Sequence, residues 1–119
     1  MTRLCVVVGA SPWGGSLASS ALRFVTTAVG AGYRPTVFFR DDGVYNALLG
    51  DSSDGGLESP QAAWSRLGNE DCVDLLLCPA ASSRRISESL LSSLPACWQQ
   101  AGLTRLFEIM AASDRVVHF

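Results

Sequence analysis

Val73-Asp-Leu-Leu-Leu-Cys78-Pro-Ala-Ala-Ser-Ser-Arg84-Arg85 reads as a buried strand that runs straight into a cysteine, two hydroxyls and two guanidiniums. Val73, Leu75, Leu76 and Leu77 around the single Asp74 suit a strand covered on both faces, and Pro79, which has no N–H to donate, ends the ladder. Cys78 is thereby expected at the carboxyl edge of a strand. In α/β sheets that edge gathers ligands and reacting groups, because loops held by a rigid scaffold face an open crevice there. Ser82 and Ser83 are expected to cap a following helix, whose N-terminal dipole, with Arg84 and Arg85, favours a thiolate over a thiol. Two adjacent helical residues cannot face one spot, so at most one of the two arginines serves Cys78.

On either side of this stretch, strand and helix signals alternate. Arg3-Leu-Cys-Val-Val-Val8 is a β-branched apolar run of the kind found in central parallel strands. A breaker-rich loop, Gly9 to Gly15, leads into Leu17, Ala21, Leu22, Val25, Ala28 and Val29 at helical spacing, closed by Gly30 and Gly32. Pro35 to Arg40 supplies a second strand, Asp41-Asp-Gly43 a turn, and Val44 to Leu49 a short helical turn. Gly50 to Gly56 has no apolar anchor and is expected to be a mobile loop. Ser59 caps the next helix, with Pro60 at its first position, Ala62, Ala63, Trp64 and Leu67 on its buried side, and Gly68 at its exit.

Ile86, Leu90, Leu91 and Leu94 predict one helix that runs up to Pro95. Ala96 to Gln100 suits a short strand or a loop, Leu103, Leu106, Phe107 and Met110 mark a last helix, and Arg115 to Phe119 a last strand. The expected fold is a three-layer α/β/α domain with a mainly parallel sheet of four to five strands, one domain across residues 1–119.

Composition narrows the function. All nine basic residues are arginine, scattered apart from Arg84-Arg85, and net charge is −2. That leaves no basic stripe for direct nucleic-acid binding. No apolar run approaches the roughly 20 residues of a membrane helix, so no membrane partner is expected and the expected location is cytoplasmic. Cys5, Cys72, Cys78 and Cys97 are irregularly spaced with no C-x-x-C, which predicts no disulfide framework. His118 is the only histidine, no cysteines stand at zinc-ligand spacing, and neither a metal nor a cofactor is expected. The Gly9 to Gly15 turn matches neither dinucleotide nor Walker spacing, so it reads as a tight turn or an interface, with Trp13 packed as a lid or offered to a partner.

Two readings of Cys78 stand side by side on residues alone: an inert cysteine at a strand end, and a reactive sulfur. Cys78 to Arg84 is also a literal C-x5-R, the phosphatase pattern in which loop N–H groups and the arginine cradle an anion. Against that pattern, Pro79-Ala-Ala-Ser-Ser lacks glycines, and Arg85 stands where a Ser or Thr normally assists the thiolate. Cys5, Cys72 and Cys97 read as small hydrophobes, Tyr45, Trp64 and Trp98 as packing residues, and His118 as structural.

Several short pieces, in their order and spacing, resemble the DsrE/TusD sulfurtransferases of the DsrE/DsrF-like group. They are Trp13-Gly14 followed by Ala18-Ser-Ser-Ala21, Phe38-Phe39 with Gly43-Val-Tyr-Asn46, Ala63-Trp64, Cys78 with Ala80-Ala81 and Arg84-Arg85, and Asp114-Arg-Val-Val117 with Phe119. The resemblance implies a bacterial cytosolic subunit whose Cys78 accepts sulfane sulfur as a persulfide and passes it on; the residues themselves offer Ser82, Arg84 and Arg85 as candidates to steady the charged sulfur. It further implies TusB/TusC-like (DsrH/DsrF-like) subunits in a heterohexamer, a TusA-like donor and a TusE/DsrC-like acceptor. Those partners serve tRNA 2-thiouridine formation or dissimilatory sulfur oxidation. The chain differs from that pattern at Pro79 and in its weak fourth-strand segment. A non-catalytic assembly subunit, built on Trp13 and apolar loop surfaces, is the alternative reading.

Overall fold

Short runs of β-branched, leucine and aromatic residues form five strands: β1 (Leu4–Val8), β2 (Thr36–Phe39), β3 (Asp74–Leu77), β4 (Trp98–Gln100) and β5 (Arg115–His118). They make one all-parallel sheet in the order β4-β3-β2-β1-β5. The computed structural model describes residues 2–48, 59–71 and 73–119; the loop expected at 50–56, and Cys72, lie outside them. Among the described residues five α-helices connect the strands: α1 (Leu17–Gly30), α2 (Pro60–Glu70), α3 (Pro79–Arg85), α4 (Glu88–Ser92) and α5 (Leu103–Ala112). The three-layer α/β/α architecture expected from the alternating pattern is present.

Register decides which residues share a face. Val116, Cys5, Thr36 and Asp74 form one row across the sheet, and His118, Val7, Phe38, Leu76 and Gln99 the next. Because side chains alternate along a strand, both rows lie on one face, and Val6, Val8, Val37, Phe39, Leu75 and Leu77 on the other. The second set packs with Ala21 and Val25 of α1, Trp64 and Leu67 of α2, and Ala81 of α3. Phe39 sits between two tryptophans, edge-on to Trp64 at 5.1 Å and tilted against Trp98 at 5.2 Å. The first set packs with Leu106, Ile109 and Met110 of α5.

Several local expectations need correction. The residues from Ile86 to Leu94 do not form one helix: α3 ends at Arg85, Ile86 takes an extended conformation, and Ser87 starts α4 by accepting from the Leu90 N–H at 3.4 Å. Ser82 and Ser83 lie inside α3 and do not cap it, because Pro79 already occupies the first helical position. The turn and helical turn after β2 are a single 3-10 helix, Asp41–Ala47. It lies so close to β1 that a Cβ on Gly43 would stand 2.0 Å from the Val8 carbonyl oxygen. Asp41, which leads into it, holds a left-handed φ of 48°. Leu17, at the very start of α1, is exposed and not part of the buried stripe. On α5 only Leu106 is fully buried, while Leu103 and Phe107 point to solvent. The ambiguous Ala96 to Gln100 segment contains β4, anchored by Trp98, whose Nε1–H donates to Ser65 Oγ at 2.8 Å.

Candidate functional site

Cys78 is where the two faces meet. It follows β3 directly, its N–H donates to the Phe39 carbonyl at 3.0 Å, and its side chain packs against both hydrophobic clusters while remaining half-buried. Its backbone, at φ −66° and ψ 120°, is extended, as a residue before proline prefers, and it forms the N-cap of α3. The thiol makes no capping bond. The Ser82 N–H is the first in α3 to be taken within the helix, by the Cys78 carbonyl at 3.0 Å, so the amides of Ala80 and Ala81 are the donors an N-cap side chain serves.

The other described cysteines have different surroundings. Cys5 is fully buried on β1, and burial pushes its thiol above the ordinary value. Cys97 leans on the Ser65 carbonyl at 3.8 Å, beside Gly68. Neither stands at the carboxyl edge of the sheet.

The residues expected around Cys78 separate on inspection. Ser82 lies one turn along α3, fully buried, and its hydroxyl has no hydrogen-bond partner among the described residues. Arg85 is committed elsewhere: its Nε meets Asp42 Oδ1 at 2.9 Å, and its Nη1 reaches the Ala81 carbonyl at 3.4 Å. Arg84 is exposed and pairs with no carboxylate among the described residues. Of the two guanidiniums, that of Arg85 is committed to Asp42, and that of Arg84 has no ion-pair partner among the described residues. Sequence reading missed Asp42. It lies 43 positions from Arg85, inside what looked like a plain turn, and no local pattern links them.

The C-x5-R reading loses its geometry. A phosphate cradle needs a loop whose N–H groups converge, whereas residues 79–85 are helical, begin with a proline and spend their later N–H groups on helix bonds. Trp13 is 53% exposed and rests against Tyr45 of the 3-10 helix, centroids 5.5 Å apart, so it is a half-supported surface ring and not a closed lid. Among the described residues no three His, Cys, Asp or Glu side chains gather as a metal site, and no helix is long and apolar enough to cross a membrane.

The DsrE/DsrF-like family model matches residues 2–119. The chain belongs to this family. It is 35% identical to a Salmonella arizonae protein named Sulfurtransferase TusD, over 98% of this chain and 99% of the relative. A protein of the same name from Sodalis glossinidius is 32% identical over 97% and 96% of the two chains. The crystal structure of the ychN protein from E. coli superposes with a TM-score of 0.83 over the full length of both chains at 21% identity, which shows the shared fold.

Proposed function

We propose that this DsrE/DsrF-like chain is a sulfur-relay protein that carries sulfane sulfur on Cys78 as a persulfide and delivers it to a downstream carrier. The observation that supports this most directly is the placement of Cys78: half-exposed at the end of β3, uncapped, and next to the free amides of α3, while Cys5 is sealed in the core. The name sulfurtransferase carried by the TusD relatives points the same way.

The chemistry is thiol exchange. The Cys78 thiolate attacks the outer sulfur of a donor persulfide, one S–S bond forms as the donor's S–S bond breaks, and the donor leaves as a thiolate. An acceptor thiolate then attacks the outer sulfur on Cys78, which returns to its thiolate. No net electrons move and no cofactor is required. In this scheme the amides of Ala80 and Ala81, at the start of α3, and the unspent Ser82 hydroxyl are the donors proposed to steady a negatively charged sulfur. Arg84 is free to meet sulfur or partner, and Arg85 holds α3 against the 3-10 helix through Asp42. Donor and acceptor are proposed to be TusA-like and TusE/DsrC-like proteins, within a complex of related subunits, serving tRNA 2-thiouridine synthesis or dissimilatory sulfur oxidation.

The test is mass spectrometry after incubation with a persulfide donor. A single added sulfur on the peptide bearing Cys78, absent in Cys78→Ser and removed by an acceptor thiol, is the expected result. Sulfur on Cys97 instead would overturn Cys78 as the carrier, and reconstituted transfer that survives Cys78→Ser with no sulfur on the chain would assign it to assembly and not to relay.

A further inference from the structure

A second site lies away from Cys78, at the amino-terminal edge of the sheet. There α5 and the residues leading into β1 and β2 enclose a cleft of about 510 Å³, within the range of small-molecule sites. Arg3, Arg34 and Arg105 line it, with Glu108 as its single carboxylate and Leu4 and Ile109 as apolar wall. Three of the nine guanidiniums in a chain of net charge −2 thus surround one space.

Their donors are largely unspent. Arg34 is steadied by its own backbone surroundings, Nη1 donating to the Tyr33 carbonyl at 2.8 Å and reaching the Val29 carbonyl at 3.5 Å, which leaves the rest of its fork available. Arg105 stands 3.9 Å from Glu108, too far for a hydrogen bond. The Arg3 guanidinium has no carboxylate partner among the described residues; Asp114 accepts from the Arg3 backbone N–H at 2.6 Å. Guanidiniums brought together from three separate segments repel one another mildly at an exposed site, and a bound anion converts that repulsion into charge-assisted hydrogen bonds. The aliphatic wall supplies what a purely ionic site lacks.

We propose that this cleft binds a small organic oxyanion with an apolar body, its charged group held by Arg3, Arg34 and Arg105 and its body against Leu4 and Ile109. The proposal is independent of sulfur transfer at Cys78. Isothermal titration of the full chain at constant ionic strength, with phenylphosphonate and with inorganic phosphate as probes, tests it. Saturable one-to-one binding is expected, with phenylphosphonate several-fold tighter. Arg34→Ala and Arg105→Ala are each expected to weaken it about tenfold, the scale of one hydrogen bond to a charged group. Arg105→Lys, which keeps the charge and loses the fork, is expected to fall between. Arg23→Ala, on the exposed face of α1, and Cys78→Ser are expected to bind as the unaltered chain does. Heats that never saturate, or affinity that survives Arg34→Ala and Arg105→Ala together, would overturn the site. Equal affinity for the two probes would overturn its apolar half.

Discussion

The two faces of the sheet are built to different standards. One is roofed by α1, α2, α3 and the 3-10 helix, with Trp64, Phe39 and Trp98 interlocked beneath them. Among the described residues the other has α5 alone, seated on Cys5, Val7, Phe38 and Leu76. A helix is about 10 Å across and five strands span roughly 20 Å, so a single helix leaves flanks uncovered. The strands register this: on the α5 side, Asp74 and Gln99 are polar and exposed, whereas their neighbours Leu75 and Trp98, which face the other way, are buried. The lesson is that polarity within a strand marks where its cover stops. Cys78 stands at the seam, touching both hydrophobic clusters.

The largest effect that would test this contrast is Trp64→Ala. Removing a fully buried indole that packs on Phe39 is expected to cost about 4 kcal/mol, read as a lowered urea midpoint. Leu106→Ala, the matching deletion on the thinner face, is expected to cost about 3 kcal/mol, since Leu106 is the one fully buried residue of α5. A loss under α5 equal to or greater than that at Trp64 would erase the distinction.

The thinner face also carries a pH signature. Burial holds the Cys5 thiol above its ordinary value of 9.0. The unfolded chain therefore releases that proton first, so stability from the neutral thiol is complete below about pH 9 and is lost as pH rises through the raised folded value. Urea midpoints measured from neutral to alkaline pH should fall more steeply for the unaltered chain than for Cys5→Ala. Parallel slopes would show that Cys5 does not contribute. The smallest effect is expected at Phe107→Ser: this residue is 62% exposed, and stability should change by no more than about 0.5 kcal/mol.

Much of this is legible in the sequence. The β-branched run Leu4–Val8, the leucines before Cys78 and the Ser59-Pro60 helix start each carry local signals strong enough to place β1, β3 and α2. What escaped were features decided by distant neighbours. Trp98-Gln-Gln100 becomes a strand because Trp98 finds Ser65 and Phe39, and two glutamines carry no strand signal of their own. Leu103 and Phe107 fit a helical stripe, yet they lie outside the arc that α5 turns toward the sheet. The position of Cys78 was readable from Pro79 and the leucines; that Arg85 is claimed by Asp42 was not, since an ion pair between segments leaves no periodicity.

Pro79 sets the aim of the sulfur. Its ring disfavours helical backbone at the cysteine before it, so the Cα–Cβ direction of Cys78 is set by its successor as well as by the Phe39 carbonyl that holds its N–H. Exchanging the proline for a residue that tolerates helical geometry would let the spiral begin earlier and swing the thiol to a new bearing, its composition unchanged and its direction altered.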